Sequence, residues 1–129
     1  MPIPTQALKA VITNEQGEIL LLQRNPKLRE NDCWDLPGGL LETGEAEIDA
    51  LTREVREELG VEIEITGKGG AWHFFRPLDG ATVKVQNYFC QIKKGKIILS
   101  EEHIVYAYVA KNKLKDFFVK DKSFYQAIL

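Results

Sequence analysis

The stretch that decides the fold is residues 39–61, GLLETGEAEIDALTREVREELGV. Apolar side chains recur in it at the spacing of a helix with about 3.6 residues per turn. They fall on one side of that helix, which carries Ile48, Leu51, Val55 and Leu59. We therefore predict an amphipathic helix from about Glu45 to Leu59, with Thr43 as its N-cap and Gly60 as its left-handed C-cap.

The same helix gathers three glutamates into one cluster. Glu54, Glu57 and Glu58 stand at i, i+3 and i+4, so their side chains are neighbours. Such like-charge pairs repel by about 0.2–0.5 kcal/mol each, and Arg53 offsets part of this. Spacing alone leaves two interpretations about equally open. One is a solvated, salt-bridged surface; the other is a magnesium site, since Mg²⁺ takes carboxylate oxygens and further ligands from substrate phosphates.

The whole stretch resembles the signature of Nudix hydrolases, G-x5-E-x7-R-E-U-x-E-E-x-G-U, where U is a bulky aliphatic residue. Every specified position agrees, and the matching residues are Gly39, Glu45, Arg53, Glu54, Val55, Glu57, Glu58, Gly60 and Val61. The flanking sequences WDLPGG (34–39) and SEEHIVYAYV (100–109) also resemble this family. The resemblance implies the Nudix fold, an α/β/α sandwich with a mixed central sheet, formed as a single domain by residues 1–129.

The resemblance also implies roles for the residues of the signature. Members of the family split a nucleoside diphosphate joined to another group, and water attacks a phosphorus. Mg²⁺ is the implied cofactor, with Mn²⁺ as a substitute. Glu54 and Glu58 are the first candidates for metal ligands, Glu57 is either a ligand or a general base, and the Gly38 carbonyl is a further ligand. Arg53 matches an arginine that orients these carboxylates through charge-assisted hydrogen bonds.

A second acidic group lies just before the last predicted strand. In MutT-like members a glutamate in this loop binds a metal or acts as general base. We assign that role to Glu102 rather than Glu101, because Glu102 stands six residues before Tyr108, which occupies the place of a common family tryptophan. We interpret His103 as a packing residue of the loop rather than a base. Glu45 is expected to have a structural role.

Substrate contacts are harder to predict from the sequence. Arg24 precedes a polar loop, NPKLREND (25–32), that lies near the substrate in relatives, and it is our candidate for phosphate binding. Lys27 in that loop is expected to be solvated. Most aromatic residues of the strands should be core, and one or two should stack on a base. The candidates are Trp34, Trp72, Phe74, Phe75 and Tyr88, of which we select Trp34 and Phe74. Asp121 or Ser123 is expected to form a hydrogen bond with the edge of the nucleotide base.

Strands are predicted, in chain order, at residues 6–13, 18–24, 61–66, 71–76, 82–92 and 104–110. Turn signals at 14–17, 67–70 and 77–80 separate them, so the first two strands are expected to form a hairpin. The apolar run 19–22 is typical of a strand covered on both faces. Asn112 is expected to cap a short helix, and residues 122–129 are predicted to form a closing helix.

Composition narrows the class of protein. The 129 residues carry a net charge of −2, which argues against a stable nucleic-acid partner and is compatible with a small nucleotide substrate. No apolar run approaches the roughly 20 residues of a membrane span, and the N-terminus lacks a signal sequence. We therefore expect a cytoplasmic monomer or homodimer. Cys33 and Cys90 are expected to be reduced thiols rather than a disulfide.

Three functions remain open at this point. The first is a MutT-like pyrophosphohydrolase acting on (d)NTPs or modified nucleotides, favoured by the Glu102 loop. The second is an ADP-ribose or nucleotide-sugar pyrophosphatase, suggested by Pro77, although PLDG (77–80) is also a good turn sequence. The third is a non-catalytic nucleotide sensor, which the intact set of carboxylates disfavours.

Overall fold

The computed structural model describes residues 3–25 and 34–117. Its elements are β1 (Gln6–Ile12), β2 (Ile19–Arg24), β3 (Trp34–Asp35), β4 (Gly38–Leu40), α1 (Glu47–Leu59), β5 (Glu62–Arg76), β6 (Ala81–Lys94), β7 (His103–Val109) and a 3-10 helix (Lys111–Asp116). One sheet has the order β4-β1-β6-β5, with β1 parallel to β6 and the other pairs antiparallel. The other sheet is antiparallel, in the order β3-β2-β7. The predicted α/β arrangement with a mixed sheet is therefore present.

Two cores lie on opposite faces of β2. Leu20 and Leu22 belong to the core that includes Leu51, Val55 and Leu59 of α1. Ile19 and Leu21 belong to the core that includes Leu114 of the 3-10 helix. The side chains of residues 19–22 are all 0% exposed. The prediction that this apolar run is covered on both faces is confirmed.

The predicted hairpin of the first two strands is wrong. β1 and β2 lie in different sheets, and a single bridge between Thr13 and Ile19 connects them. The turn itself forms as expected, with Gly17 at a φ of 75°. The strands separate after it because β4 and β6 pair with the two edges of β1, while β3 and β7 pair with those of β2.

The helix α1 begins later than predicted. Ala46 is its N-cap and makes no side-chain capping bond, so the assignment of Thr43 is wrong. Ile48 is 54% exposed, and Ala50 is buried in the packed face instead. Periodicity gives the side of a helix that packs, but it does not show how far the sheet extends beneath that side. Gly60 is confirmed as the left-handed C-cap, with a φ of 68°.

The predicted turn at 67–70 is absent, because β5 runs through it as one strand. The pairing of β5 with β6 shifts its register between Ile65 and Gly67 and again between Lys68 and Ala71. The glycines thus accommodate irregularities of the strand instead of ending it. The turn at 77–80 is confirmed, with Gly80 at a φ of 71°.

The remaining predictions concern the two ends of the chain and the thiols. Ala110, not Asn112, is the N-cap of the 3-10 helix, so that assignment is wrong. The predicted helix at 122–129 and Cys33 lie outside the described residues. Cys90 is a buried thiol, and burial raises its pKa to about 12. Within ranges 3–25 and 34–117, no helix is long and apolar enough to cross a membrane.

Candidate active site

Glu58 is the buried carboxylate of the acidic cluster. It lies in the last turn of α1, is 7% exposed, and accepts a hydrogen bond of 2.8 Å from the backbone N–H of Gly38 on β4. Burial raises the pKa of Glu58 to about 7, although the charge of Lys9 and the bond from Gly38 act in the opposite direction. The helix and the strand therefore hold this carboxyl group in one place, largely out of water.

Glu54 lies one turn earlier and packs directly on the backbone of β4. A Cβ atom at Gly39 would stand 2.5 Å from Cδ of Glu54 and 2.7 Å from each of its carboxylate oxygens. A side chain at position 39 would therefore have to displace the Glu54 carboxylate from its place. Burial also raises the pKa of Glu54, against the opposing charge of Arg53.

Arg53 connects the acidic residues of the signature. Its Nε and Nη2 atoms donate to the two carboxylate oxygens of Glu45, at 2.8 and 3.0 Å. Its Nη1 atom donates to Glu54 at 3.2 Å and to both oxygens of Glu57 at 3.4 Å. The bidentate bond fixes the guanidinium plane, so Glu45 holds Arg53 and Arg53 orients Glu54. The side chain of Glu57 is 59% exposed and is held less firmly.

The loop before β7 is attached to the end of α1 through backbone hydrogen bonds. The N–H of Ser100 donates to the carbonyl of Glu58 at 3.0 Å, and the N–H of Ile98 donates to that of Leu59 at 2.9 Å. On the other side, the N–H of Asn25 donates to the carbonyl of Glu102 at 2.8 Å. These bonds place Glu102 beside the acidic end of α1.

Glu58, Glu102 and His103 form a group that can hold a metal ion. Each offers one ligand atom, and these atoms all lie within 4.8 Å of one another. Glu102 is exposed, whereas His103 is buried, and burial lowers the pKa of the His103 imidazole. The donor set fits a divalent cation, because a buried carboxylate beside further carboxylates is costly without a positive partner.

A partly buried ion triad that the sequence interpretation missed lies next to this group. The carboxylate of Asp35 accepts from Nζ of Lys9 at 3.0 Å and from Nη2 of Arg24 at 2.8 Å. Burial alone would raise the pKa of Asp35, but the two cations outweigh it and lower the pKa. The available signal was Lys9 itself, the single charged residue in a mostly apolar strand. Arg24, our candidate for phosphate binding, is thus held by Asp35.

The aromatic candidates occupy different environments. Trp34 packs edge-on against Phe117, with ring centroids 5.3 Å apart, and belongs to the periphery of a core cluster. Tyr88 is 8% exposed and donates its hydroxyl to Glu47 at 3.1 Å. Phe74 is 37% exposed and lies 5.6 Å from the ring of Trp72. Phe74 therefore keeps part of its ring exposed, Tyr88 is buried, and Trp34 is half-buried.

Three of the residues considered for substrate contacts lie in parts of the chain that the structure does not describe. These residues are Lys27, Asp121 and Ser123. Glu101, which we ranked below Glu102, is exposed, and its carbonyl accepts a bond of 3.0 Å from the Asn25 side chain.

Comparison with known proteins identifies the family. A family model, the NUDIX domain, matches residues 4–128. The chain therefore belongs to the Nudix family, and the family resemblance inferred from the signature is confirmed. The fold agrees: the MutT protein from Methanosarcina mazei Go1 superposes with a TM-score of 0.78 at 29% identity, over 99% of this chain and 93% of that one.

Curated relatives match over shorter stretches. The RNA pyrophosphohydrolase of Ruthia magnifica subsp. Calyptogena magnifica is 44% identical over 54 residues, which are 42% of this chain and 28% of that protein. The CTP pyrophosphohydrolase of Escherichia coli is 41% identical over 56 residues, 43% of this chain and 42% of that protein. The matched stretch is thus less than half of each relative's length.

We expect Arg53→Lys to lower turnover about tenfold, because lysine cannot make the two parallel bonds to Glu45 and leaves Glu54 free to rotate. Steady-state kinetics with Mg²⁺ measures this effect. Arg56→Lys is the matched control, since Arg56 lies on the same helix and its exposed guanidinium lies 3.7 Å from Glu62. Equal rates for the two variants would show that the orientation of Glu54 does not depend on Arg53.

Proposed function

We propose that the chain is a magnesium-dependent Nudix pyrophosphohydrolase that cleaves the diphosphate linkage of nucleoside diphosphate derivatives, with (d)NTPs or modified nucleotides as its substrates. One observation carries the proposal. Glu58 and Glu54 of α1 lie against the backbone of β4 at Gly38 and Gly39, and Glu102, from the loop before β7, lies beside Glu58. Phosphate hydrolysis needs such a concentration of oxygen ligands, because its developing charge is stabilised mainly by metal ions and positioned groups.

The metal ligands we propose are Glu54, Glu57, Glu58, Glu102 and the carbonyl of Gly38. Bound Mg²⁺ would supply positive charge to the phosphate oxygens and acidify a water molecule. The chain itself holds the carboxylates in place. The Gly38 N–H donates to Glu58, and Arg53 donates to Glu54. The buried setting of Glu58 strengthens its attraction to any cation.

The remaining groups serve the attacking water and the substrate. Glu102 is exposed at the edge of the cluster, where its carboxylate can accept a proton from the attacking water. The water oxygen forms a bond to phosphorus, the anhydride P–O bond breaks, and two phosphorylated products leave. Arg24, held by Asp35 at 2.8 Å, supplies a fixed positive charge for the phosphates. Phe74 offers an exposed ring on which a base can stack.

The substrate we propose is a small nucleotide rather than a nucleic acid, in keeping with a net charge of −2. The name of one relative, the CTP pyrophosphohydrolase, supports a small nucleotide substrate. Pro77, the residue that suggested ADP-ribose, lies in the turn that joins β5 and β6, so its presence is accounted for by the turn. A cytoplasmic location and a monomer or homodimer are part of the same proposal.

A substrate screen tests the proposal. The protein is incubated with Mg²⁺ and a panel of (d)NTPs, oxidised dGTP, ADP-ribose, dinucleoside polyphosphates and capped RNA, and the products are separated by anion exchange. Hydrolysis in ¹⁸O-labelled water then identifies the attacked phosphorus by mass spectrometry of the two products. We expect a (d)NTP or a modified nucleotide to be split into a nucleoside monophosphate and pyrophosphate, with no turnover when EDTA replaces Mg²⁺.

Two results would contradict the proposal. Turnover of ADP-ribose alone would exclude the MutT-like substrate class. Tight binding of one compound without turnover of any would indicate a nucleotide sensor.

A further inference from the structure

His103 is a buried imidazole that the proposed chemistry leaves without a role. The residue is 9% exposed and its side chain 6% exposed, so the ring lies almost wholly out of water. Its Nδ1 atom is buried and has no hydrogen-bond partner among the described residues. A buried ring nitrogen normally forms a hydrogen bond or binds a metal ion. The lack of a partner for Nδ1 therefore indicates that a ligand binds there.

The position of Nδ1 points to what that ligand is. It lies 3.7 Å from Oε2 of Glu58, which is too long for a hydrogen bond. When two atoms each lie about 2.1 Å from the same metal ion and subtend a roughly tetrahedral angle at it, they are roughly 3.5 Å apart. One ring nitrogen of His103, one carboxylate oxygen of Glu58 and one of Glu102 all lie within 4.8 Å of one another. A separation of 3.7 Å fits two ligands around one cation, and it also fits an ion pair with a protonated imidazole, which the experiment below distinguishes.

The backbone holds the imidazole in this place. The N–H of His103 donates to the carbonyl of Ser100 at 3.3 Å, and the N–H of Ser100 donates to the carbonyl of Glu58 at 3.0 Å. His103 is also the first residue of β7, where it pairs with Arg24 of β2. The ring is thus connected to the end of α1 through the loop and to the sheet through β7, and it does not depend on solvent for its position.

We propose that His103, through Nδ1, is a nitrogen ligand of a divalent cation that Glu58 and Glu102 also bind. The inference rests on the metal site of the proposed function but not on the substrate. A mixed set of oxygen and nitrogen ligands favours Mn²⁺, Co²⁺ or Zn²⁺, because Mg²⁺ prefers oxygen alone. A nitrogen ligand would therefore let this site bind transition metals tightly in addition to the Mg²⁺ of the proposed function.

The chain offers a clean test, since it contains only two histidines, His73 and His103. Metal-free protein without a histidine tag is loaded with one equivalent of Mn²⁺. Electron spin echo envelope modulation then detects ¹⁴N coupling from a coordinated imidazole. We expect nitrogen coupling in the wild type and its loss in His103→Gln. The matched control is His73→Gln, because His73 is an exposed residue of β5, and it should keep the coupling. Mn²⁺ affinity, followed by the signal of the free ion, should fall about tenfold or more in His103→Gln only.

A second measurement avoids substitution of His103 altogether. In the His73→Gln protein, labelling with ¹⁵N-histidine labels His103 alone, and the modulation should change from the ¹⁴N to the ¹⁵N pattern. An unchanged pattern, or bound Mn²⁺ without nitrogen coupling in the wild type, would overturn the proposal. Turnover without coupling would leave the proposed function in place and overturn only the ligand. Coupling without turnover of any substrate would support His103 as a ligand and contradict the proposed function.

Discussion

Replacing Glu58 by glutamine is expected to lower turnover by at least about a hundredfold, the size of effect seen when a group that stabilises transition-state charge is removed. Glutamine has nearly the same size and can still accept the bond of 2.8 Å from Gly38, so the fold should be kept. What is lost is the charge that a metal ion requires. Steady-state kinetics at saturating Mg²⁺ measures the effect.

The same substitution should stabilise the metal-free protein at high pH. The pKa of Glu58 is raised from its ordinary value of 4.5 to about 7, so ionisation of this group favours the unfolded chain. The destabilisation is absent below pH 4.5, grows between pH 4.5 and 7, and is complete above pH 7. It amounts to at most about 3 kcal/mol at pH 8. Glutamine does not ionise and removes it.

Denaturant unfolding in EDTA at pH 5 and pH 8 measures this difference. Glu64→Gln is the matched control, because Glu64 is an exposed residue of β5 and should change neither activity nor stability by much. A gain in stability for Glu58→Gln at pH 8 and little change at pH 5 is the expected pattern.

A near-normal rate would show that Glu58 is not a metal ligand. A loss of stability at pH 8 would show that its burial is not costly.

Replacing Gly38 by alanine should have the largest effect on folding. The new Cβ atom would overlap the carbonyl oxygen of Leu8 and lie 2.9 Å from Cα of Lys9. Both are backbone atoms of β1, which pairs with β4 at this position, so neither can rotate away. Gly38 also has a φ of 149°, which side-chain-bearing residues rarely adopt. We expect a loss of roughly 3 kcal/mol or more, or no soluble protein.

Gly44→Ala separates the two causes. Gly44 has a φ of 83°, but a Cβ atom there would meet nothing within 4 Å. Its substitution therefore measures the backbone strain alone, about 1 kcal/mol. Thermal unfolding of both variants gives the comparison. Equal stabilities would mean that β1 and β4 can move apart at Gly38, and the Glu58 carboxyl would then be less firmly fixed than the structure indicates.

Local periodicity accounts for what the sequence determined by itself. The spacing of apolar residues and of Glu54, Glu57 and Glu58 depends only on helix geometry, so the helix and its acidic cluster were predictable. Gly60 was predictable as a C-cap because few other residues adopt positive φ. The apolar run 19–22 predicted a strand with two covered faces, which the two cores confirm. The intact signature then identified the family.

Only the tertiary structure decided what surrounds that cluster. Thr43 and Ile48 were assigned wrongly because a pattern along one helix does not show where the sheet beneath it ends. The predicted hairpin failed because strands compete for edges across the whole sheet.

The same holds for the partners of Glu58 and Arg24. Gly38, Glu102 and His103 reach Glu58 through backbone pairing between segments distant in the chain, and Asp35 joins Lys9 to Arg24 across two sheets. Contacts of this kind leave no periodic trace in the sequence, since they depend on which strands pair and in which register. The sequence therefore determined that a carboxylate cluster exists, and the packing of sheet, loop and helix determined how it is buried, oriented and completed.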